Sequence, residues 1–360
     1  MHKSAIIDWM RSKLRIKDIA RELGVSISTV SKALKDSHEI SKETRERIKA
    51  FANFHNYKPN SLALKLRSQK TLIIGVIIPE IVHHFFSTVL NGIEEHANQK
   101  GYNVMICLSN KSYEKEIQSI ETLLEGSVDG ILISVSTGTQ QQHNFDHLQK
   151  LLDRKFPIVL FDGLVDELEC DKVTINDESG AFKATEYLIE TGCKRIALIT
   201  NPDFVKIGSL RTKGYLKALD KHKLSVDEDL IVEIDESRDM LGQLEVLFKD
   251  KDKYPDAILA VNGEIYASTA MQMARDRGLK VPEDISVITF TDGVISKYSS
   301  PPLTALVQHG FEMGKQAVEL LINRIESKGA DMPFQEKVIS TNLNFRKSTK
   351  QIVGKSTFKS

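Results

Sequence analysis

The sequence predicts an α/β protein with two parts: a small all-α helix-turn-helix head, and a two-lobed body built from parallel sheets covered by helices on both faces. Three observations predict it. Eight short apolar runs alternate with amphipathic segments through most of the chain. Three short helical patterns, punctuated by a glycine and two serines, precede them. The 360 residues, 41% hydrophobic and 27% charged, have the composition of an ordinary folded protein and enough length for more than one core.

The first helical pattern starts at Arg15 and places Ile16, Ile19, Ala20 and Leu23 on one face. Gly24 ends it, because glycine enters the left-handed backbone region freely. Ser26 caps a second short helix that turns Val30, Ala33 and Leu34 inward. Two helices joined so closely form a helix-turn-helix. Ser41 caps a third helix, with Ile48, Phe51 and Ala52 as packing residues and Arg45, Arg47 and Lys49 on a charged face. Downstream, Asn60 caps a segment of about seven residues, too short to be helical without a partner.

Charge is distributed unevenly. The chain is neutral overall, yet residues 1–70 hold 16 Lys and Arg against 7 Asp and Glu, and the rest holds 33 against 42. A basic head on an acidic body points to a polyanion-binding surface. In a helix-turn-helix the second helix enters the major groove of double-stranded DNA. There Ile27, Ser28 and Lys32 reach base edges, while Thr29 and Ser31 hydrogen-bond phosphate.

In the body, the runs LIIGVII (72–78), YNVMICL (102–108), GILISV (130–135), IVLF (158–161), KVTI (172–175), RIALIT (195–200), AILAV (257–261) and ISVITF (285–290) read as strands. Continuous apolar strands between amphipathic helices indicate parallel sheets buried on both faces. Eight exceed one mononucleotide-binding half, so two open sheets are expected, with a small molecule held at their carboxyl strand ends.

Several function classes are excluded. There is no G-x-G-x-x-G after the first strand, no phosphate-binding G-x-x-x-x-G-K-[ST] and no G-x-S-x-G elbow. The adjacent His83 and His84 lack an H-E-x-x-H or cysteine context, so no metal, cofactor or catalytic residue is expected. No run approaches roughly eighteen apolar residues and the start does not read as a signal peptide, so cytoplasmic placement without a membrane is expected. Cys107, Cys170 and Cys193 cannot all pair, which suits free thiols in a reducing compartment.

The stretch VSISTVSKALKDSHEISKETRERIKAFANFHNYKPNSLALKLR resembles the head and hinge of the LacI/GalR family of bacterial transcriptional regulators, and the resemblance continues through both lobes to LNFRKST. It implies a two-lobed body like the periplasmic sugar-binding proteins. It also implies a homodimer that reads a pseudo-palindromic operator, most often as a repressor, under the control of a small carbohydrate or sugar acid. A body answering to a partner protein is the alternative. The hinge residues matching the family's minor-groove wedge are Ala63 and Leu66. The matching effector contacts are His84, Phe85, Asp162, Asn176, Arg211, Asn262, Thr291 and Asp292. Two departures stand out. Many members carry Asn-Asp where this chain has Asn262-Gly263, and an extra acid where it has Thr291. Loss of carboxylates beside Arg211 would make the cleft more welcoming to an anion, or would equally mark ordinary sugar recognition that has decayed or moved.

The expected division is an extension (1–14), the head (15–59), the hinge (60–71), the body (72–349) and a tail (350–360). The first lobe comprises 72–173 with about 305–333, and the second 174–300 with about 334–347. The tail, KQIVGKSTFKS, has no leucine heptads, which argues against tail-mediated tetramers.

Overall fold

The computed structural model describes residues 14–55, 57, 70–163, 165–235, 238–327 and 332–352. The hinge residues Ala63 and Leu66, and nearly all of the extension and tail, lie outside them. The chain divides into two units, residues 1–71 and 72–360.

The head is three helices, α1 (Ile16–Leu23), α2 (Ile27–Leu34) and α3 (Lys42–Phe54). Local chemistry sets their ends. Gly24 closes α1 at φ 64°, and Ser26 Oγ accepts from the Thr29 N–H at 3.0 Å. Ser41 Oγ accepts from the Thr44 N–H at 3.3 Å. Ile19, Ala20, Val30, Ala33, Ile48 and Ala52 are buried together, with Leu14, Ile16, Leu23, Leu34 and Phe51 packed around them. This is a small core, so each of its residues carries a large share of the head's stability.

The body runs β1 (Ile73–Ile78), α4 (His84–Gln99), β2 (Asn103–Leu108), α5 (Tyr113–Glu125), β3 (Gly130–Ile133), α6 (Thr137–Gln142), α7 (Asp146–Asp153), β4 (Ile158–Phe161) and β5 (Asp171–Ile175). The chain then crosses over to α8 (Asp177–Glu190), β6 (Ile196–Thr200), α9 (Lys206–Lys221), β7 (Ile231–Glu233), α10 (Met240–Leu244), β8 (Ala257–Ala260), α11 (Glu264–Asp276), β9 (Ser286–Thr289), α12 (Val294–Tyr298) and β10 (Thr304–Val307). It returns through α13 (Gly310–Glu326) and β11 (Glu336–Ile339) to the first lobe, and ends in β12 (Asn342–Asn344) of the second.

Two six-stranded sheets result, ordered β11-β5-β4-β3-β1-β2 and β12-β10-β9-β8-β6-β7. All pairings are parallel except β10 with β12. Each sheet has a core on either face, as alternation along β1 illustrates. Ile74, Val76 and Ile78 face α4 and α13, and Ile77 faces the opposite cluster of Ile120, Leu123, Leu148 and Leu151. Helices α4 and α13 touch backbone to backbone: a β-carbon on Gly92 would lie 2.1 Å from the Phe311 carbonyl oxygen, and one on Gly314 2.2 Å from that of Val89.

The lobe boundaries differ from expectation in two places. Thr304–Val307 belongs to the second sheet, paired with β9, and Glu336–Ile339 belongs to the first, paired with β5. The chain therefore crosses between lobes three times, after Ile175, Val307 and Ile339. The three cysteines are free, Cys170 and Cys193 buried and Cys107 half-buried. Among the described residues, no helix is long and apolar enough to cross a membrane.

Candidate DNA-reading head and interlobe cleft

On the head, α2 presents Ile27, Ser28 and Lys32 to solvent, with Ile27 52% exposed despite being apolar. An exposed isoleucine on the first turn of a basic helix suits a thymine methyl better than it suits water. Thr29 and Ser31 are half-buried. The Ser28 and Thr29 hydroxyls lie 2.7 and 2.8 Å from Ser26 Oγ, so the cap and the candidate contacts form one hydroxyl cluster. Lys32 is ion-paired with Glu39. The basic residues of α3 pin the loops. Arg45 donates to the Asp36 and Ser37 carbonyls at 3.2 and 3.1 Å, Lys49 meets the Asp36 carboxylate at 2.6 Å, and Arg47 donates to the Leu23 carbonyl.

In the body, the carboxyl ends of both sheets face a cleft lined by residues of both lobes. Phe85, Asp162, Arg211, Asn262 and Thr291 line it.

Arg211 projects from α9 and is only 3% exposed. Its Nε donates to Asp177 at 2.7 Å, Nη1 donates to the Val261 carbonyl, and the guanidinium lies 4.7 Å from the centre of the Phe290 ring. The orientation of the Gln308 amide that satisfies its neighbours accepts from Nη2 at 3.1 Å and donates to the Phe290 carbonyl at 2.9 Å. Three of the five guanidinium hydrogens are therefore used within the protein, leaving two.

Asp162 follows β4 with φ 57°, a left-handed conformation that aspartate tolerates. Burial pushes its carboxyl up to about 7, with Arg211 pulling it down and Asp177 adding to the rise. Burial also raises Asp177, against the opposing pull of Arg211. Arg211 thus has two carboxylates near it, the expected contact Asp162 among them, despite the departures at Gly263 and Thr291. The other lining cation, Lys111, pairs with Glu80 at 3.0 Å. Both cations of the described lining therefore already have carboxylate partners.

Three expected contacts lie elsewhere. His84 is the first residue of α4 and does not line the cleft; its neighbour His83 does. One residue on a helix turns a side chain by about 100°. Asn176 is exposed and caps α8, its Oδ1 accepting from the Ser179 N–H at 2.9 Å. Asp292 is ion-paired with Arg346 and accepts from Asn344 Nδ2 at 2.8 Å, which fastens the last strand.

Residues not among the expected contacts complete the cleft, His83 among them. His83 Nδ1, like Oδ1 of the expected contact Asn262, is buried without a hydrogen-bond partner, and burial depresses His83 below the ordinary imidazole value. Unpaired buried polar atoms at a cleft are what a ligand would satisfy. Gln140 on α6 accepts the Lys206 N–H of α9 at 3.0 Å, and Lys206 Nζ meets Asp166 at 2.6 Å, so two contacts clasp the lobes together. Helix α6 is held in turn by fully buried Glu116, which accepts from the Ser136 N–H at 2.6 Å and Thr139 Oγ1 at 2.8 Å. Asn201, which also lines the cleft, directly follows β6, and that strand-end position was its available signal; Gln308 follows a strand that the sequence did not reveal. His83 and Gln140 carried none beyond their polarity.

Residues 15–60 match the family "Bacterial regulatory proteins, lacI family", and residues 185–349 the "Periplasmic binding protein-like domain". The HTH-type transcriptional repressor PurR of Vibrio atlanticus is 33% identical over 315 residues, covering 87% of this chain and 92% of that protein. Catabolite control protein A of Priestia megaterium is 31% identical over 336 residues, covering 93% and 99%. Among solved structures, the lac repressor dimer bound to operator and the anti-inducer ONPF superposes with a TM-score of 0.81 at 24% identity, covering 94% of this chain and 100% of that one. The transcriptional regulator CelR in complex with cellobiose superposes with a TM-score of 0.67 at 25% identity, covering 93% and 99%. With a helix-turn-helix head, a two-lobed body with an interlobe cleft, and relatives that match both along most of their length, the chain belongs to the lacI family of bacterial regulatory proteins and is a DNA-binding transcriptional regulator.

Proposed function

We propose that this protein is a homodimeric repressor whose affinity for a pseudo-palindromic operator is set by a small, neutral, oxygen-rich metabolite of the sugar class bound between the lobes. The observation that carries this reading is the polar lining of the cleft. Asp162, Asn262, His83 and the two spare hydrogens of Arg211 offer acceptors and donors to hydroxyls, and the two lining cations already have carboxylate partners. Several relatives are named as repressors, and two neighbours were solved with cellobiose or ribose bound. Both lend support to polarity and ligand class. On the head, Ile27, Ser28 and Lys32 are the proposed base readers, with Thr29 and Ser31 on phosphate. Ala63 and Leu66 are the proposed minor-groove residues.

Thermal shift of the full chain tests the ligand class, with ribose, cellobiose, their phosphate esters and free purine bases as probes. A ligand that binds only the folded state raises the melting temperature. A shift with a neutral sugar, followed by altered operator anisotropy at the same concentration, is the expected result. A shift confined to the phosphate esters would overturn the neutral class.

A further inference from the structure

We infer that Gln308 is a positioning residue that couples the cleft to the interlobe crossovers, because the arginine of the cleft, through the Gln308 amide in the orientation that satisfies its neighbours, also cross-links the segments on which the lobes turn. The three crossovers follow Ile175, Val307 and Ile339. Asp177 is the first residue of α8, just past the first crossover, and it holds Arg211 Nε at 2.7 Å. Gln308 lies within the second crossover and accepts Nη2 of the same guanidinium at 3.1 Å. The next residue, His309, meets Asn342 Oδ1 at 2.6 Å through Nε2, just past the third. One chain of contacts, Asp177–Arg211–Gln308–His309–Asn342, therefore joins all three crossovers.

The burial of its members makes the tie stiff. Asp177, Arg211 and Gln308 are 3%, 3% and 7% exposed, and charge-assisted hydrogen bonds in such surroundings are strong. Arg211 cannot move without loosening Asp177 or Gln308. A ligand oxygen that draws the guanidinium toward itself shifts the balance among these partners and so biases the lobe angle, a coupling through a two-state element. That last step rests on the effector reading above. The tie itself does not.

The test needs no effector. Hydrogen–deuterium exchange is followed on the full chain in segments 175–177, 307–310 and 339–342, for the parent and for Gln308→Met, which keeps volume but loses both hydrogen bonds. About tenfold faster exchange in all three segments is expected, the effect of losing one charge-assisted hydrogen bond. Acceleration confined to 307–310 would overturn the inference and leave Gln308 as local packing. Asn342→Ala, at the exposed end of the chain, provides the second measurement should Gln308→Met not fold. It is expected to accelerate 307–310 and 339–342 while sparing 175–177. Acceleration of 339–342 alone would break the proposed chain at His309.

Discussion

The His83 imidazole, on the first lobe, occupies the space in front of Gly263 on the second: a β-carbon there would lie 3.2 Å from His83 Nε2. Gly263 also has φ 144°, a backbone conformation that side chains rarely adopt. The missing acid at this position therefore has a steric explanation. The backbone conformation disfavours any side chain there and the histidine from the opposite lobe crowds it, so a steric account of the glycine does not need the effector's charge.

Gly263→Ala is accordingly expected to destabilise the body by about 1–3 kcal/mol, the range for a side chain forced into a sparsely populated backbone region. Urea unfolding of the full chain, followed by body-specific fluorescence, measures the loss. Adding His83→Ala relieves the contact but not the backbone strain, so the double variant is expected to recover only part of it. Full recovery would mean that contact alone excludes a side chain here.

Asp162 makes stability depend on pH with a definite sign. Its folded carboxyl titrates near 7, above the ordinary value of 3.8, so the folded state binds the proton more tightly than the unfolded state. The contribution is fully present below about 4 and is lost as pH rises through about 7, with a slope of about 1.4 kcal/mol per pH unit in between. Asp162→Asn, which cannot ionise, is expected to flatten this slope. Its stability relative to the parent should improve steadily from pH 4.5 to 7 in denaturant titrations. A difference that stays constant with pH would show that Asp162 is ionised throughout.

The head was legible in the sequence because its punctuation is local. Gly24, Ser26 and Ser41 act within three or four residues of themselves, and each ends or caps its helix as its chemistry dictates. The longer buried strands were legible too, as apolar runs. Four strands were not: IVE, TALV, EKVI and NLN have three or four residues and mixed polarity, and become strands only by pairing with a neighbour brought from far along the chain. Missing TALV and EKVI moved both lobe boundaries. The cleft contacts divided differently: Asp162, Asn262 and Thr291 follow readable strands and line it, whereas Asn176 and Asp292 follow readable strands too but cap α8 and pair with Arg346, and His84 stands beside His83, which does line it. Gln308 was invisible because its strand was, and its bond to Arg211 joins positions that the sequence separates widely.

The edge strand β11 hangs on one buried ion pair. Asp171 is 2% exposed and takes Arg324 Nε and Nη2 at 2.9 Å each, while Arg324 Nη1 holds the Met332 carbonyl at 2.7 Å. Removing the arginine strands a buried carboxylate, which costs about 3–5 kcal/mol. Arg324→Met is expected to show that loss in chemical denaturation, together with rapid amide exchange across 336–339. Arg324→Met combined with Asp171→Asn should recover a good part of it, because no charge is then left buried. A loss below about 1 kcal/mol in the single variant would mean that the Gln335 N–H, which also donates to Asp171 at 2.9 Å, suffices to hold the carboxylate.

On the head, Glu39 holds Lys32, a proposed base reader, in an ion pair. The pair is half exposed, with side chains 48% and 54% accessible, so it contributes at most about 1 kcal/mol to stability and Glu39→Gln should leave the melting temperature nearly unchanged. Operator binding responds differently. Lys32 must leave Glu39 to donate to a guanine acceptor, and the glutamate adds a negative charge close to a polyanion. Glu39→Gln is therefore expected to tighten operator binding several-fold in fluorescence anisotropy at moderate salt. Two controls separate the causes. General repulsion would tighten random duplex and operator alike, whereas release of Lys32 tightens the operator more. On a Lys32→Ala background, itself weakened by about 1–3 kcal/mol at the contacted base pair, the operator-specific part of the gain should vanish. Its persistence there would assign the base contact to another side chain of α2, with Ser28, exposed on the first turn, as the next to test.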